Sequence, residues 1–247
     1  PERLRLLNSL TAVDIRAVGP GVWNAWKAGL LQELYHRSLE AMVGDPADER
    51  RSARAENAKA ALRERLADWP PAEIEAHIDL GYPAYWLSFD TDTHVRHAGL
   101  VRDAEAVDDR LRVETRVENE RDVTEVLIYT PDHAGLFANI SGAMALSGAS
   151  IVEARVATLA NGMALDTFWV QNAKGGALAS PERLKRLRGR VEDAVSGRLH
   201  VARELKKVGG RGDGRRTDVF TVPPRVLIDN TVSAKYTVIE VNGRDRL

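Results

Sequence analysis

The sequence predicts an α+β protein in which a helical N-terminal part precedes a small antiparallel sheet. Apolar residues recur at helical spacing as far as Ala106, and they alternate with a period of two after Asp108. Between Thr124 and Ile228 the predicted element order is strand, helix, strand, strand, helix, strand. That order is typical of a ferredoxin-like βαββαβ fold, in which both helices lie on one face of a four-stranded sheet.

The first 106 residues carry mainly helical patterns. Leu4, Leu7 and Leu10 form one stripe, and a wider apolar face around Trp26 predicts a second helix to about residue 42. Residues 47 to 68 are rich in Ala, Arg and Glu, which predicts a mostly solvated connector helix. Asp90 is the expected N-cap of a further helix.

Strand patterns follow residue 110. Residues 111 to 119 and the segment from Thr124 alternate between apolar and polar side chains, which predicts two strands. The segments 150 to 158 and 163 to 171 predict a hairpin, because Asn161-Gly162 between them is a strong turn signal. A helix is expected from Pro181, and residues 217 to 228 are expected to supply the last strand of the sheet.

The pattern then begins again. Residues 239 to 246 repeat the strand and turn logic of residues 126 to 133, which predicts the opening of a second, similar module. Because the first residue is Pro1 rather than Met and helical sequence starts at once, we expect the chain to be a fragment of a longer protein.

Composition excludes several classes of function. The 35 Lys and Arg residues nearly cancel the 36 Asp and Glu residues, so charge predicts neither a nucleic-acid nor a membrane partner. The chain has no cysteine, which excludes disulfides and thiolate metal sites. Since it also lacks an apolar run of the roughly 20 residues needed to span a bilayer, we expect a cytoplasmic protein.

Two sets of motifs resemble known families. The segments DHAGLF from Asp132 and GASIV from Gly148 resemble ACT domains, small modules that bind amino acids, although Ala134 and His133 depart from the usual proline and arginine. Four longer blocks, LTAVDIRAVGPGVWNAWKAGLLQELYHRS, YPAYWLSFDTDTHVRHAGLV, GMALDTFWVQ and VFTVPPRVLIDN, resemble successive pieces of bifunctional uridylyltransferase/uridylyl-removing enzymes. These enzymes modify the PII nitrogen-signalling protein.

The resemblance implies a domain plan and a function. Residues 1 to 45 would be the last helices of an HD phosphohydrolase domain, 46 to 110 a helical connector, 111 to 230 an ACT domain, and 231 to 247 the start of a second ACT domain. The parent protein would be a nucleotidyltransferase and a phosphodiester hydrolase under allosteric control by glutamine, and this segment alone would be inactive. The alternative is a free-standing amino-acid-binding module without catalytic activity.

The expected effector site lies where the helix after Asp132 begins. Unpaired N–H groups and the positive end of the helix dipole suit the carboxylate of an amino acid. Asp132 either caps the helix or accepts the ammonium group of the ligand. The candidate residues are Asp132, His133, Ala134, Gly135, Leu136 and Asn139.

The candidates for metal binding are weaker. The resemblance matches Asp14 to the last aspartate of the HD signature, a ligand for Mg or Mn, and the alternative is an ordinary aspartate on a helix face. The histidines that would complete such a site are missing, so we expect no hydrolysis from these residues. The pair Asp90 and Asp92 is better explained by capping, and His94 and His97 by packing or surface positions, than by metal binding.

Overall fold

The computed structural model describes residues 2–17, 23, 28, 31–32, 34–35, 38–39, 47–173, 175–209, 225–231 and 237–242. The chain divides into two compact units, Pro1–Leu199 and His200–Leu247. The predicted helix through Trp26 falls largely outside the described residues, and so do residues 217–224 of the segment that was expected to supply the last strand. The predicted α+β class is confirmed, whereas the domain boundaries at 45, 110 and 230 stay predictions.

The first unit contains helices followed by a sheet with two further helices. Its elements are α1 Glu2–Ala17, α2 Ala47–Arg65, α3 Pro71–Leu80, α4 Pro83–Ser88, α5 Thr91–Ala106, β1 Arg112–Glu118, β2 Val123–Pro131, α6 Leu136–Leu146, β3 Ala149–Arg155, β4 Met163–Asn172 and α7 Pro181–Val195. In the second unit the described elements are α8 Val201–Gly209, β5 Arg225–Asp229 and β6 Val238–Asn242.

The four strands of the first unit form one antiparallel sheet in the order β1-β2-β4-β3. This order corrects the predicted topology, because β1 occupies the edge beside β2 that the strand within 217 to 228 was expected to fill. β5 pairs instead with β6 in a separate two-stranded sheet. The turn between β1 and β2 is short, closed by Asp122 N–H donating to the Asn119 carbonyl at 3.3 Å, so this pairing costs little loop-closure entropy.

Helices cover both faces of this sheet, which corrects the prediction of helices on one face only. Neighbouring residues of β4 show the two sides. The Thr167 hydroxyl lies 3.0 Å from His97 Nε2 in α5. The Phe168 ring stacks on Phe137 of α6, with 5.7 Å between ring centroids. Because successive side chains of a strand point to opposite faces, α5 and α6 lie on opposite sides of the sheet.

The connector helices share a core with the sheet. Leu62, Ile78 and Val101 belong to the same buried cluster as Leu127 and Leu165 of the central strands. In α2 a narrow stripe that includes Leu62 is buried and most other described side chains are exposed, as predicted for this helix. Each fully buried leucine of this kind stabilises the fold by about 1.5 to 3 kcal/mol. The helices from α2 to α5 therefore belong to the folded body of the first unit.

A buried ion pair also joins α5 to the sheet. Glu125 of β2 is 3% exposed, and its carboxylate accepts two hydrogen bonds from the Arg96 guanidinium, at 2.6 and 3.0 Å. Arg116 of β1 lies 3.3 Å from the same carboxylate. A carboxylate this deeply buried depends on such partners, because an unpaired charge in the interior is costly.

Three histidines are buried between α3, α4 and α5. His77, His94 and His97 are at most 5% exposed, and the rings of Tyr85 and Trp86 pack among them. Burial lowers the pKa of both His77 and His94 to about 4, and it lowers the pKa of His97 well below the usual value. All three are therefore neutral at pH 7, as the packing alternative for His94 and His97 predicted.

Stability should fall on mild acidification. In the unfolded chain each histidine binds a proton near its ordinary pKa of 6.5, whereas folded His77 and His94 resist protonation down to about 4. Between these two pKa values the unfolded state binds more protons than the folded state. The free energy of unfolding is therefore highest above pH 6.5 and falls by about 1.4 kcal/mol per pH unit per histidine as the pH drops from about 6.5 to about 4. Urea unfolding at a series of pH values measures this slope.

Asp166 has the opposite effect on the pH dependence of stability and offsets part of the histidine effect. Burial raises its pKa to about 7, so its protonation on acidification favours the folded state. The variant His94→Gln should have a shallower pH slope than the wild-type chain, because it removes one of the buried histidines. A free energy of unfolding that is constant between about pH 7 and about pH 5 would contradict the prediction.

The buried ion pair of Arg96 with Glu125 should contribute more to stability than an exposed ion pair does. Arg96→Met leaves the Glu125 carboxylate buried with Arg116 only, so we expect a loss of about 2 kcal/mol. Arg65→Met removes the ion pair between Arg65 and Asp92, which are 57% and 66% exposed. Because this pair is exposed, its loss should change the free energy of unfolding by no more than about 0.5 kcal/mol. Equal changes in urea unfolding for the two variants would exclude a structural role for the buried pair.

Candidate functional site

The loop between β2 and α6 ends in a glycine with a left-handed backbone at the start of the helix. Gly135 is the N-cap of α6 with φ of 85°, a left-handed conformation that favours glycine. Its side chain can supply no cap, and Leu136 N–H donates to the His133 carbonyl at 3.1 Å. Of the two alternatives for Asp132, the cap is wrong, because Gly135 is the N-cap and no side chain accepts a cap hydrogen bond there. The Thr158 hydroxyl donates to the Asp132 carboxylate at 2.6 Å.

The connection from β3 to β4 places Thr158 beside this loop. β3 ends at Arg155 rather than at residue 158, so Asn161-Gly162 lies in a connection that is three residues longer than the predicted strand bounds imply. Gly162 has φ of 78°, and its carbonyl accepts a hydrogen bond from Asp132 N–H at 3.1 Å. These contacts hold the β2–α6 loop against the tip of the hairpin.

A cavity of about 420 Å³ lies between the loop, the start of α6 and the β3–β4 connection. Its lining residues are Asp132, His133, Gly135, Leu136, Phe137, Ala138, Val156, Ala157, Thr158, Ala164 and Asp166. Four of the predicted effector residues are therefore brought together at the cavity, whereas Ala134 and Asn139 are not among its lining residues. The binding role of all six stays a prediction.

Asp166 is the polar residue that sequence reasoning missed. It lies in the middle of β4, is 4% exposed and lines the cavity. Burial raises the pKa of its carboxyl to about 7; an N–H from Ala157 opposes this rise, and the nearby charge of Asp132 adds to it. The sequence did carry a signal for Asp166, because it lies on the same strand face as the apolar Phe168. A carboxyl group on a buried face is costly unless it is paired, so such a position indicates a functional or structural role.

The cavity combines features that suit a zwitterion. The first turn of α6 offers N–H groups and the positive end of a helix dipole, which attract a carboxylate. Two carboxyl groups, from Asp132 and Asp166, can attract a cation, while Leu136 and Val156 supply apolar surface. An amino acid carries both charges on one carbon, so this arrangement can hold its main-chain groups and leave its side chain to the walls.

The predicted metal residue has no partners among the residues that the structure describes. Asp14 lies in α1, a helix without buried residues, and its side chain is exposed. Within the described ranges no group of three His, Asp or Glu side chains could hold a metal ion. These residues alone do not fit a metal centre, and the role of Asp14 stays a prediction.

The capping explanation of Asp90 is confirmed. Its Oδ1 accepts a hydrogen bond from Thr93 N–H at 2.7 Å at the start of α5. Asp92 forms an exposed pair with Arg65 at 2.6 Å. In the described part of the chain, no helix is both long and apolar enough to cross a membrane.

The comparisons with known proteins identify the relatives of the chain. No protein-family model matches it. Enzymes named bifunctional uridylyltransferase/uridylyl-removing enzyme match over the whole chain, with 53% identity in Azospirillum brasilense and 50% in Gluconobacter oxydans. The chain is homologous to one segment of these enzymes. The enzyme of Rhodopseudomonas palustris is 36% identical over 99% of the chain.

The resemblance to bifunctional uridylyltransferase/uridylyl-removing enzymes that the sequence blocks predicted is thus confirmed. The chain spans 26% of the length of each of these relatives. The similarity extends over α1, the connector helices and the sheet together, so the homologous segment includes all of the first unit.

Substitutions of two glycines should separate backbone strain from packing. An added Cβ would meet no atom within 4 Å at Gly135 or at Gly99. Gly135→Ala should lose about 1 to 2 kcal/mol, because only this position has a left-handed backbone. Gly99→Ala, inside α5, should gain about 1 kcal/mol from helix propensity. Thermal unfolding of both variants tests the assignment, and a stabilising Gly135→Ala would refute it.

Proposed function

We propose that this chain is the amino-acid-sensing regulatory segment of a bifunctional uridylyltransferase/uridylyl-removing enzyme, and that glutamine binds in the cavity at the start of α6. The observation that carries the proposal is the cavity itself, where a helix N-terminus faces Asp132 and the buried Asp166. Sequence identity of 36 to 53% with these enzymes over nearly the whole chain supports the choice of enzyme.

Glutamine would bind through its main-chain groups. Its carboxylate lies at the first turn of α6, near the backbone of Phe137 and Ala138, and its ammonium group faces Asp132 and Asp166. The Thr158 hydroxyl donates a hydrogen bond of 2.6 Å to the Asp132 carboxylate and so holds the Asp132 side chain toward the cavity. The glutamine side chain then lies along the apolar wall, where Val156 is 58% exposed in the free chain.

Strand β4 provides a physical route from the effector to the connector. Asp166 lines the cavity, and the next residue, Thr167, contacts His97 of α5 on the other face at 3.0 Å. A ligand that shifts β4 therefore acts on the packing of α5. Glutamine regulates catalysis only if it binds one arrangement of these elements better than another, so the coupling must appear as a difference in affinity.

Catalysis is assigned to other parts of the enzyme. We propose that the complete protein adds uridylyl groups to the PII protein and removes them, in the cytoplasm. The metal, Mg or Mn, would belong to the uridylyl-removing site, to which this chain contributes at most Asp14. The chain alone is therefore not expected to transfer or remove uridylyl groups. Its similarity to the enzymes from end to end favours this role over a free-standing amino-acid-binding module.

Binding of glutamine should depend on pH through Asp166. At pH 6 this carboxyl is mostly protonated because its pKa is about 7, and an ammonium ligand favours the carboxylate form. Glutamine should therefore bind about tenfold more weakly at pH 6 than at pH 8 and should release a proton on binding. Isothermal titration calorimetry in buffers of different ionisation enthalpy measures both quantities.

A matched pair of variants tests the assignment. Asp166→Asn should weaken binding and remove the pH dependence, whereas Asp103→Asn, which changes an exposed aspartate of α5, should leave both unchanged. Glutamine binding that is unaffected by Asp166→Asn would move the ammonium site away from β4. Complete failure of glutamine to bind the wild-type chain would refute the proposed function for this segment.

A further inference from the structure

The β3–β4 connection, residues 156–162, contacts the cavity at α6 on one side and the connector helices on the other. Val156, Ala157 and Thr158 line the cavity. Leu159, the next residue, is 2% exposed and belongs to the buried cluster that α2, α3 and α5 share with the sheet. The same short segment therefore belongs both to the wall of the cavity and to the core beneath the connector helices.

Hydrogen bonds join this connection to two of the connector helices. Ala160 N–H donates to the Leu80 carbonyl at the end of α3, at 2.9 Å. The Asn161 side-chain amide donates to the Tyr129 hydroxyl at 3.1 Å, and that hydroxyl donates to the Glu105 carboxylate of α5 at 3.5 Å. Tyr129 belongs to β2 and is 2% exposed. Its hydroxyl therefore links the connection to α5 through the core.

The connection also positions a polar group of the cavity. The Thr158 hydroxyl donates to the Asp132 carboxylate at 2.6 Å, and Asp132 N–H donates to the Gly162 carbonyl at 3.1 Å. Both partners of Asp132 in these bonds are residues of the connection. The position of the Asp132 side chain in the cavity therefore depends on where residues 156–162 lie.

The helices that hold the connection border a second cavity. Leu80 and Glu105 both line a space of about 530 Å³ between α3 and α5. A close-packed interior resists deformation, whereas a helix beside a cavity can shift with fewer lost contacts. A change in the spacing of α3 and α5 therefore costs least at the two points where these helices hold the connection.

We infer that Tyr129 and Asn161 are positioning residues for the amino-acid site, through which the arrangement of α3 and α5 sets the affinity of the cavity at α6. The inference rests on the proposed function for its ligand, and it adds a second route beside the one along β4. Neither residue is among the described lining residues of that cavity. Because coupling between two sites is reciprocal, a ligand that fixes Asp132 also stabilises the bond from Ala160 to α3.

Amide hydrogen exchange of the free 247-residue chain tests the positioning. Tyr129→Phe keeps the buried ring and removes the hydroxyl, so exchange of the Asp132 and Ala160 N–H groups should become about threefold faster or more. The Asn172 N–H donates to the Gly176 carbonyl at 2.8 Å, after the end of β4, and should keep its rate as the internal reference.

Three further substitutions separate the hydroxyl link from a general loss of stability. Glu105→Ala removes the acceptor at the exposed end of the link and should also speed exchange at Asp132. Glu105→Gln keeps an acceptor oxygen and should keep the wild-type rate. Tyr82→Phe, which changes a tyrosine that is 58% exposed, should leave the rate unchanged.

Glutamine then tests the coupling to the ligand. In the wild-type chain, saturating glutamine should slow exchange at both Asp132 and Ala160. Tyr129→Phe should weaken glutamine binding by about threefold or more in isothermal titration calorimetry, although Tyr129 does not line the cavity.

The outcomes that overturn the inference differ from those that overturn the proposed function. Unchanged exchange at Asp132 in Tyr129→Phe, or equal acceleration at Asn172, would exclude a positioning role for the hydroxyl. Protection by glutamine that includes Asp132 but not Ala160 would exclude the coupling and leave the proposed function intact. A wild-type chain that does not bind glutamine would refute the proposed function, and the exchange rates of the free chain would then decide the positioning by themselves.

Discussion

The two central strands of the sheet are buried on both faces, and most of the structure follows from this constraint. Nearly every side chain of β2 and β4 is buried, so two separate helical layers are required. The layer containing α6 covers one face and the connector helices cover the other. A polar side chain on either strand must then find a partner in a helix or face a cavity, because little of it can reach water.

The polar residues of these strands show how each case is resolved. Glu125 is satisfied by arginines from α5 and β1, and Thr167 by His97 of α5. Thr124 exchanges hydrogen bonds with the backbone of Leu178 at 3.0 and 2.9 Å. Asp166 has no ion-pair partner of this kind within the described residues and lies at the cavity instead, which makes it the most informative polar residue of the sheet.

Two cavities lie in different layers, one at the start of α6 and one between α3 and α5. The one at α6 combines a helix N-terminus with carboxyl groups, whereas the lining of the other includes the ion pair of Arg102 and Glu73. Strand β4 lies between the layers that hold them. The helices α2 to α5 share core residues with this sheet, so a shift in one layer can act on the packing of the other.

The sequence by itself determined the α+β class, the strands from β1 to β4, the cap at Asp90 and the loop around Asp132, because periodicity, capping and turn chemistry act over a few residues. It also determined the relationship to the uridylyl-transferring enzymes, through blocks such as GMALDTFWVQ. Only the tertiary structure decided that β1 closes the sheet, that the connector packs on its second face and that Asp166 faces a cavity. Strand order and burial depend on contacts between distant segments, and a local pattern cannot specify which segments meet.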